Sequence, residues 1–428
     1  MKLLRLGDEG SLVQLLQTAL SRAGYLVAAD GIFGRQTQNA LLRFQRDAGI
    51  AADGIAGPQT NAALLPYYRG YILHTIRRGD TFYRIAMRYG SSIFAIETAN
   101  PSVNPLRLQI GSTLVIPLDF PVVPTDIAVS SDLVNYAIRG LAARYPFFRV
   151  QQIGTSVLGS PIQSLCIGTG SNRVLYNASH HANEWITTLI LLRFAEELAA
   201  AYAEDGAIFN ISATELLETS TICLVPAVNP DGIDLVTGAL PQSDVNAAAQ
   251  LAANYPEIPF PSGWKANIRG IDTNLQYPAG WETAKEIKAS QGYLLPGPRD
   301  YVGTAPLQAP ESRSMYDYTR RFDPSLTLSY HTQGQVIYWQ FLDYAPENAR
   351  AIANRFSAVS GYSVEDTPYA SSFAGYKDWF LQDFGRPGYT IEAGLGTNPL
   401  PIADFPAIYR DNLGILVLGA LLTAGTAI

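Results

Sequence analysis

The chain has 428 residues, 47% apolar and 16% charged, with a formal net charge of −7. That length exceeds one ordinary core and implies roughly three domains of a soluble globular protein. The acidic balance argues against nucleic acid as a partner. Two cysteines, Cys166 and Cys223, are too few for a disulfide framework, and their flanks QSLCIG and TICLVP read as buried strand thiols. The opening MKLLRLGDEG reaches charge and glycine too early for a signal-peptide apolar region, which makes the cytoplasm the expected compartment.

Residues 1–67 hold an internal repeat: DGIFGRQT from Asp30 returns as DGIAGPQT from Asp53. Each Asp-Gly predicts a turn, and each following threonine, Thr37 and Thr60, is placed to cap a helix. Val13, Leu16 and Leu20, then Thr37, Ala40, Leu41 and Phe44, mark the inner faces of a small helical bundle. The repeat resembles the peptidoglycan-binding domain of bacterial wall hydrolases.

Residues 70–118 read as strand, helix, helix, strand. A short strand through His74 leads to Gly79-Asp80-Thr81, where Asp80 or Thr81 caps a helix ending near Tyr89, and GSTLVIP returns to pair with the first strand. The RRGDT and ANP motifs at this spacing resemble a lysin motif (LysM), which implies binding of N-acetylglucosamine-containing glycan. His74 is expected to be a strand residue, not a ligand. Residues 119–126 lie in PLDFPVVPTD, a proline-rich stretch that predicts a stiff extended linker.

Residues 127–428 can hold one α/β core. NRVLYNAS, TICLVPAV, LTLSYH and PGYTIEAG predict buried strands, and ITTLILLRFAEELAAAY a buried helix. The uncharged stretch from Asn412 to Ile428 has no basic flank and is expected to be a closing helix packed on the core.

Two of only four histidines stand together in YNASHHANEWIT. His181 and Glu184, three apart at a helix entrance, can face the same side, whereas His180 pairs with Asn183 and reads as loop support. His-x-x-Glu is weak evidence alone. His331, at the end of an apolar strand, supplies a third ligand, which completes the donor set of a catalytic zinc. Glu392 ends another apolar strand and suits a general base; an ion pair with Arg386 is the competing account. A cation near the developing oxyanion is expected from Arg269, with Lys265 as the competitor.

HHANEW, NPDG, IRGIDTN, SYHTQG and YTIEAG occur here in the order found in zinc carboxypeptidases of the carboxypeptidase A type, and the chain resembles that family. The resemblance implies an α/β catalytic domain with a mixed, mostly eight-stranded sheet flanked by helices. It also implies one zinc on His181, Glu184 and His331, Glu392 as base, an arginine (Arg269) polarising the carbonyl, and a tyrosine closing over substrate, Tyr369 in preference to Tyr376. Carboxypeptidases of this type clamp a terminal carboxylate with an Asn-Arg pair. Here Asn274 remains but Leu275 stands in place of the arginine, and leucine makes no such clamp. Asn274 and Leu275 therefore suit a substrate whose chain continues. With two wall-binding modules, the combination resembles bacterial γ-D-glutamyl-L-diamino acid endopeptidases. The expected partner is peptidoglycan, glycan and stem peptide, without membrane or obligate protein partner; a wall carboxypeptidase is the alternative. A cytoplasmic enzyme with a wall substrate would act on internalised fragments, on lysis, or in sporulation.

Overall fold

The computed structural model describes residues 2–422, and the chain divides into two compact units between Arg149 and Val150. In the first unit, helices Ser11–Arg22, Arg35–Asp47 and Pro58–Arg69 turn the sequence repeat into a structural one. Buried Gln17 donates to Asp30 Oδ1 at 2.7 Å and Thr37 Oγ1 at 2.9 Å and accepts from Gly31 N. Gln45 repeats the pattern with Asp53, Thr60 and Gly54 N. Thr37 and Thr60, expected to be the caps, are instead buried partners of a glutamine inside the first turn, and the N-cap positions are taken by Gly34 and Gly57.

The βααβ module follows. Strands β1 (Tyr71–Thr75) and β2 (Thr113–Pro117) pair antiparallel around helices Phe82–Tyr89 and Ile93–Ala99. Thr81 is the cap, accepting from Arg84 N at 3.1 Å, while Asp80 is held by His74 Nε2 at 2.7 Å. Residues 119–126 form neither helix nor strand. They pack on this unit instead of spanning solvent: Val122 and Val123 are buried, and Arg22 Nη2 donates to Pro121 O at 2.7 Å. Helix Ser131–Arg144 also belongs to this unit, with Arg144 bonded to Gly70 O and Leu118 O and Tyr136 stacked on Tyr68.

The second unit is built on an eight-stranded mixed sheet. Its strands are β3 (Arg149–Thr155), β4 (Pro161–Ile167), β5 (Asn172–Ala178), β8 (Ser220–Val225), β9 (Leu326–His331), β10 (Val336–Tyr338), β11 (Ser363–Glu365) and β12 (Gly388–Glu392); a separate two-residue hairpin, β6 (Ala207–Ile208) with β7 (Ile211–Ser212), lies between β5 and β8. The spatial order is β11-β10-β12-β9-β5-β8-β4-β3. β12, β9, β5 and β8 run parallel, and β10 and β4 join antiparallel.

Parallel strands are covered on both faces and so read as continuous apolar runs. Leu175 and Cys223 pack with Tyr277, Tyr376 and Trp379 on one face. Tyr176 points to the other, where its hydroxyl donates to Leu416 O at 2.9 Å in the helix Phe405–Leu421. That helix is the expected closing element; the end of the predicted segment, 423–428, lies outside the described residues. No helix among the described residues is long and apolar enough to cross a membrane. Cys166 and Cys223 are buried strand residues as expected, but they sit directly opposite in the β4–β8 pair and form a disulfide, which corrects their reading as thiols.

Candidate active site

The four parallel strands place their C-terminal ends along one sheet edge, where open α/β sheets collect ligand-binding residues. β5 hands on to a tight turn in which Ser179 takes φ of 55° and its hydroxyl is fixed by Thr187 and Thr188. A short 3-10 turn, Ala182–Glu184, follows and leads into helix Ile186–Ala203. That geometry turns His181 and Glu184 toward one another. β9 ends on His331 and β12 on Glu392, directly opposite in register.

His181 Nδ1 lies 2.9 Å from Glu184 Oε1, and His331 Nδ1 lies 2.8 Å from Glu184 Oε2. One donor atom from each of the three residues falls within 4.8 Å of the others. Two imidazole nitrogens and a carboxylate converging in one place fit a catalytic zinc with a coordination position to spare. Glu184 is buried, and burial opposes its charge, but His181, Lys265 and His331 together hold its carboxyl well below the usual range. Burial likewise lowers the His181 imidazole, yet Glu184 and Asp272 outweigh it and raise it to about 9.

The outer nitrogen of His181 is also partnered. His181 Nε2 faces Asp272 Oδ1 at 3.2 Å, the arrangement that fixes ring orientation and raises ligand basicity. Asp272 further accepts from Asn274 N at 3.0 Å and Asp300 N at 3.2 Å. His331 Nε2 lies 3.4 Å from Asn274 Nδ2, whose partner atom Oδ1 accepts from Tyr376 N at 3.0 Å. Asn274 borders the cleft, but both ends of its side chain face protein groups. His180 is the buried support: its Nε2 meets Tyr277 Oη at 2.9 Å, and its carbonyl accepts from Thr273 and Asn229. Asn229 opens NPDG and ties this loop to Ala266 O; a Cβ on Gly232 would lie 2.8 Å from the Ala182 Cβ, so the close approach requires glycine.

Glu392 is half-buried and borders the cleft, and its carboxylate makes no hydrogen bond among the described residues. Arg386 is engaged elsewhere, with Asp323 Oδ1 at 2.7 Å and Pro324 O at 2.8 Å, which removes the structural ion pair as an account of Glu392. Burial lifts the Glu392 carboxyl above its ordinary range; Glu184 adds to this, and His331 and Lys265 oppose it.

Arg269 is not brought to the site. It is the exposed residue of an otherwise buried turn whose backbone is folded over Asn267 Oδ1, and it borders neither of the two cavities at the site. Lys265, the competing choice, borders both cavities, with Nζ 3.1 Å from Glu184 Oε1. Of the two tyrosines, Tyr376 is fully buried with its hydroxyl on Thr319 at 3.0 Å, whereas Tyr369 is 66% exposed and lies on the rim beside Phe373. Leu275 is half-buried in the cleft wall and packs against the core behind it.

Two cavities, about 250 Å³ and about 600 Å³, meet at the site. The smaller includes Asn274 and Leu275, the larger Asn183 and Asn398, and both border His181, Lys265, Arg299, Tyr338 and Glu392. Arg299, Tyr338 and the supporting role of Asp272 were not anticipated. Asp272 had a usable signal, its position two residues before Asn274; Arg299, in a Pro-Gly-rich loop, and Tyr338, on a three-residue strand, had none.

Comparison with known proteins agrees with this geometry. A profile of zinc carboxypeptidases matches residues 134–413, one of peptidoglycan binding domains residues 9–64, and one of LysM domains residues 74–117. The γ-D-glutamyl-L-diamino acid endopeptidase 1 of Lysinibacillus sphaericus is 46% identical over 285 residues, covering 67% of this chain and 70% of the relative. Bovine thrombin-activatable fibrinolysis inhibitor superimposes with a TM-score of 0.54 at 17% identity, over 69% of this chain and 97% of its own. Carboxypeptidase A of Helicoverpa armigera gives 0.53 at 18% identity, over 79% and 81%. These two likenesses show the fold.

Proposed function

The chain belongs to the zinc carboxypeptidase family, and from that premise we propose that it hydrolyses the γ-D-glutamyl–diaminopimelate bond of peptidoglycan stem peptides. The reading is carried by 46% identity to the Lysinibacillus sphaericus enzyme named for γ-D-glutamyl-L-diamino acid bonds. Two features of this chain support it. Leu275 occupies the cleft wall where a terminal-residue peptidase would need an arginine clamp, and two cavities share the border formed by His181, Lys265 and Glu392. The peptidoglycan-binding and LysM domains hold the enzyme on its polymer, which raises the local concentration of stem peptide without any new contact at the active site.

His181, Glu184 and His331 would hold one zinc, which when bound polarises the scissile carbonyl and acidifies a water. Asp272 keeps the His181 ring turned so that Nδ1 points inward. Glu392 takes a proton at its carboxylate as general base and returns it to the leaving amine. Lys265 Nζ donates to the charge that develops on the carbonyl oxygen, and its pairing with Glu184 sets it in place beforehand. Tyr369, exposed on the rim, closes over bound substrate; Asn274 and Leu275 form the wall that the diamino acid passes.

Mass spectrometry of L-Ala-γ-D-Glu-diaminopimelate-D-Ala tests this with wild-type enzyme and a Glu392→Gln control. L-Ala-D-Glu and diaminopimelate-D-Ala should appear with the wild type alone. Release of free D-Ala from an otherwise intact peptide would make the protein a wall carboxypeptidase.

A further inference from the structure

Five side chains border both cavities, and Arg299 is the cation among them with no role so far. Its Nε donates to Asp300 Oδ2 at 2.5 Å, while its two terminal amino groups have no hydrogen-bond partner among the described residues. The other cations of the smaller cavity are engaged. Lys377 Nζ donates to Gln340 O, Thr367 Oγ1 and Asp378 Oδ1, and Lys288 Nζ pairs with Asp300 Oδ1 at 2.6 Å. Arg299 is thus tied at its inner nitrogen and open at its outer edge. A planar fork held this way suits a carboxylate.

Its place is registered to the reaction centre through one residue. Asp272, which faces His181 Nε2, accepts from Asp300 N at 3.2 Å and donates its own N–H to Tyr301 O at 2.9 Å. Asp300 takes φ of +64°, a conformation L-residues rarely adopt and one that persists where surrounding contacts over-determine it. The loop is therefore fixed to the residue that orients a metal ligand, and Arg299 is carried with it to the junction of the two cavities.

We infer that Arg299 binds the free α-carboxylate of the γ-linked glutamyl residue whose carbonyl is attacked, and so selects substrates that carry this carboxylate over those in which it is amidated. The inference rests on the function proposed above and adds the group that recognises the glutamyl carboxylate. In a γ-linked residue the side-chain carboxyl is spent in the bond, and the α-carboxylate survives as an anion a short methylene chain from the scissile carbonyl. Arg299 borders both cavities together with His181 and Glu392, so an anion on a substrate held there can reach it.

The test compares L-Ala-γ-D-Glu-diaminopimelate with its α-amide, L-Ala-γ-D-isoglutaminyl-diaminopimelate, which keeps the shape and loses the charge. kcat/KM is measured for both substrates with zinc-loaded wild type, Arg299→Gln and Arg299→Lys. The wild type should prefer the acid by about tenfold or more, because a site built to bind a carboxylate is left unpaired by its amide. Arg299→Gln should bring that ratio toward one, and Arg299→Lys, which keeps the charge without the fork, should hold an intermediate value. The ratio does not depend on what fraction of a variant retains metal, so a damaged loop cannot imitate the result. Equal turnover of the two substrates by the wild type, or a proportional loss of both in Arg299→Gln, would overturn the assignment while leaving the γ-glutamyl reading intact. Failure of the wild type to cut either γ-linked substrate would instead remove that reading.

Discussion

Replacing Asp272 by asparagine should separate a metal-supporting role from a purely structural one. The Asp272 carboxylate accepts three hydrogen bonds: His181 Nε2 and Asn274 N reach Oδ1, and Asp300 N reaches Oδ2. Asparagine can keep its carbonyl oxygen at the first position, and its amide group then faces the Asp300 N–H, so one bond is lost at a cost of about 1–3 kcal/mol. Alanine loses all three and leaves two backbone N–H groups without an acceptor, roughly 2–6 kcal/mol. What asparagine also removes is the negative charge behind the imidazole, and such outer partners are worth about ten- to a hundredfold in metal affinity. Asp272→Asn should therefore fold, with a modestly lower denaturation midpoint, and bind zinc at least about tenfold more weakly in chelator competition. If it bound zinc as tightly as the wild type while losing stability, Asp272 would only buckle the 272–301 loop, and its assignment as an orienting group would fail.

Lys265→Met should lower kcat by about a hundred- to a thousandfold with zinc retained, as for loss of an oxyanion donor, whereas Arg269→Met should stay within about twofold; the reverse pattern in steady-state kinetics would restore Arg269. Burial raises the Glu311 carboxyl from an ordinary 4.5 to about 7 against the opposing hydrogen bonds from Asn267 and Val157, with Asp231 adding to the rise. Its contribution to stability is full below the unfolded value and is lost as pH climbs through about 7, in total about 3 kcal/mol by linkage. Urea unfolding of Glu311→Gln at several pH values should lack that decline, and parallel curves for mutant and wild type would contradict the assignment. Protein purified without reductant and then unfolded should show no titratable thiol, and two after reduction; two before reduction would return Cys166 and Cys223 to free thiols.

The chemistry of the site was legible because it is local or tied to strand ends. His181 and Glu184 are three residues apart, and His331 and Glu392 each terminate an apolar run, so residue type, spacing and hydropathy were enough to nominate them. The closing helix and the βααβ order were equally plain, since each is a pattern of period and punctuation along the chain. The cation beside the metal-binding residues was not. Arg269 and Lys265 are four residues apart on one irregular loop with no periodicity to say which points inward; the Asn267 turn decides, sending Arg269 to solvent and leaving Lys265 on Glu184. The cysteine pair was hidden for a related reason, because strand register is a long-range property and only the antiparallel β4–β8 alignment sets Cys166 against Cys223. The preference for Tyr369 over Tyr376 gained a physical ground only when burial placed the Tyr376 hydroxyl on Thr319 and left Tyr369 at the rim. Sequence alone thus determined which residue types could hold a metal and move a proton, because those depend on side-chain chemistry and short spacing. Tertiary structure alone decided which cation lies beside the metal-binding residues, which histidine nitrogen is buttressed and where Arg299 stands, because these depend on loops far apart in sequence folded against one another.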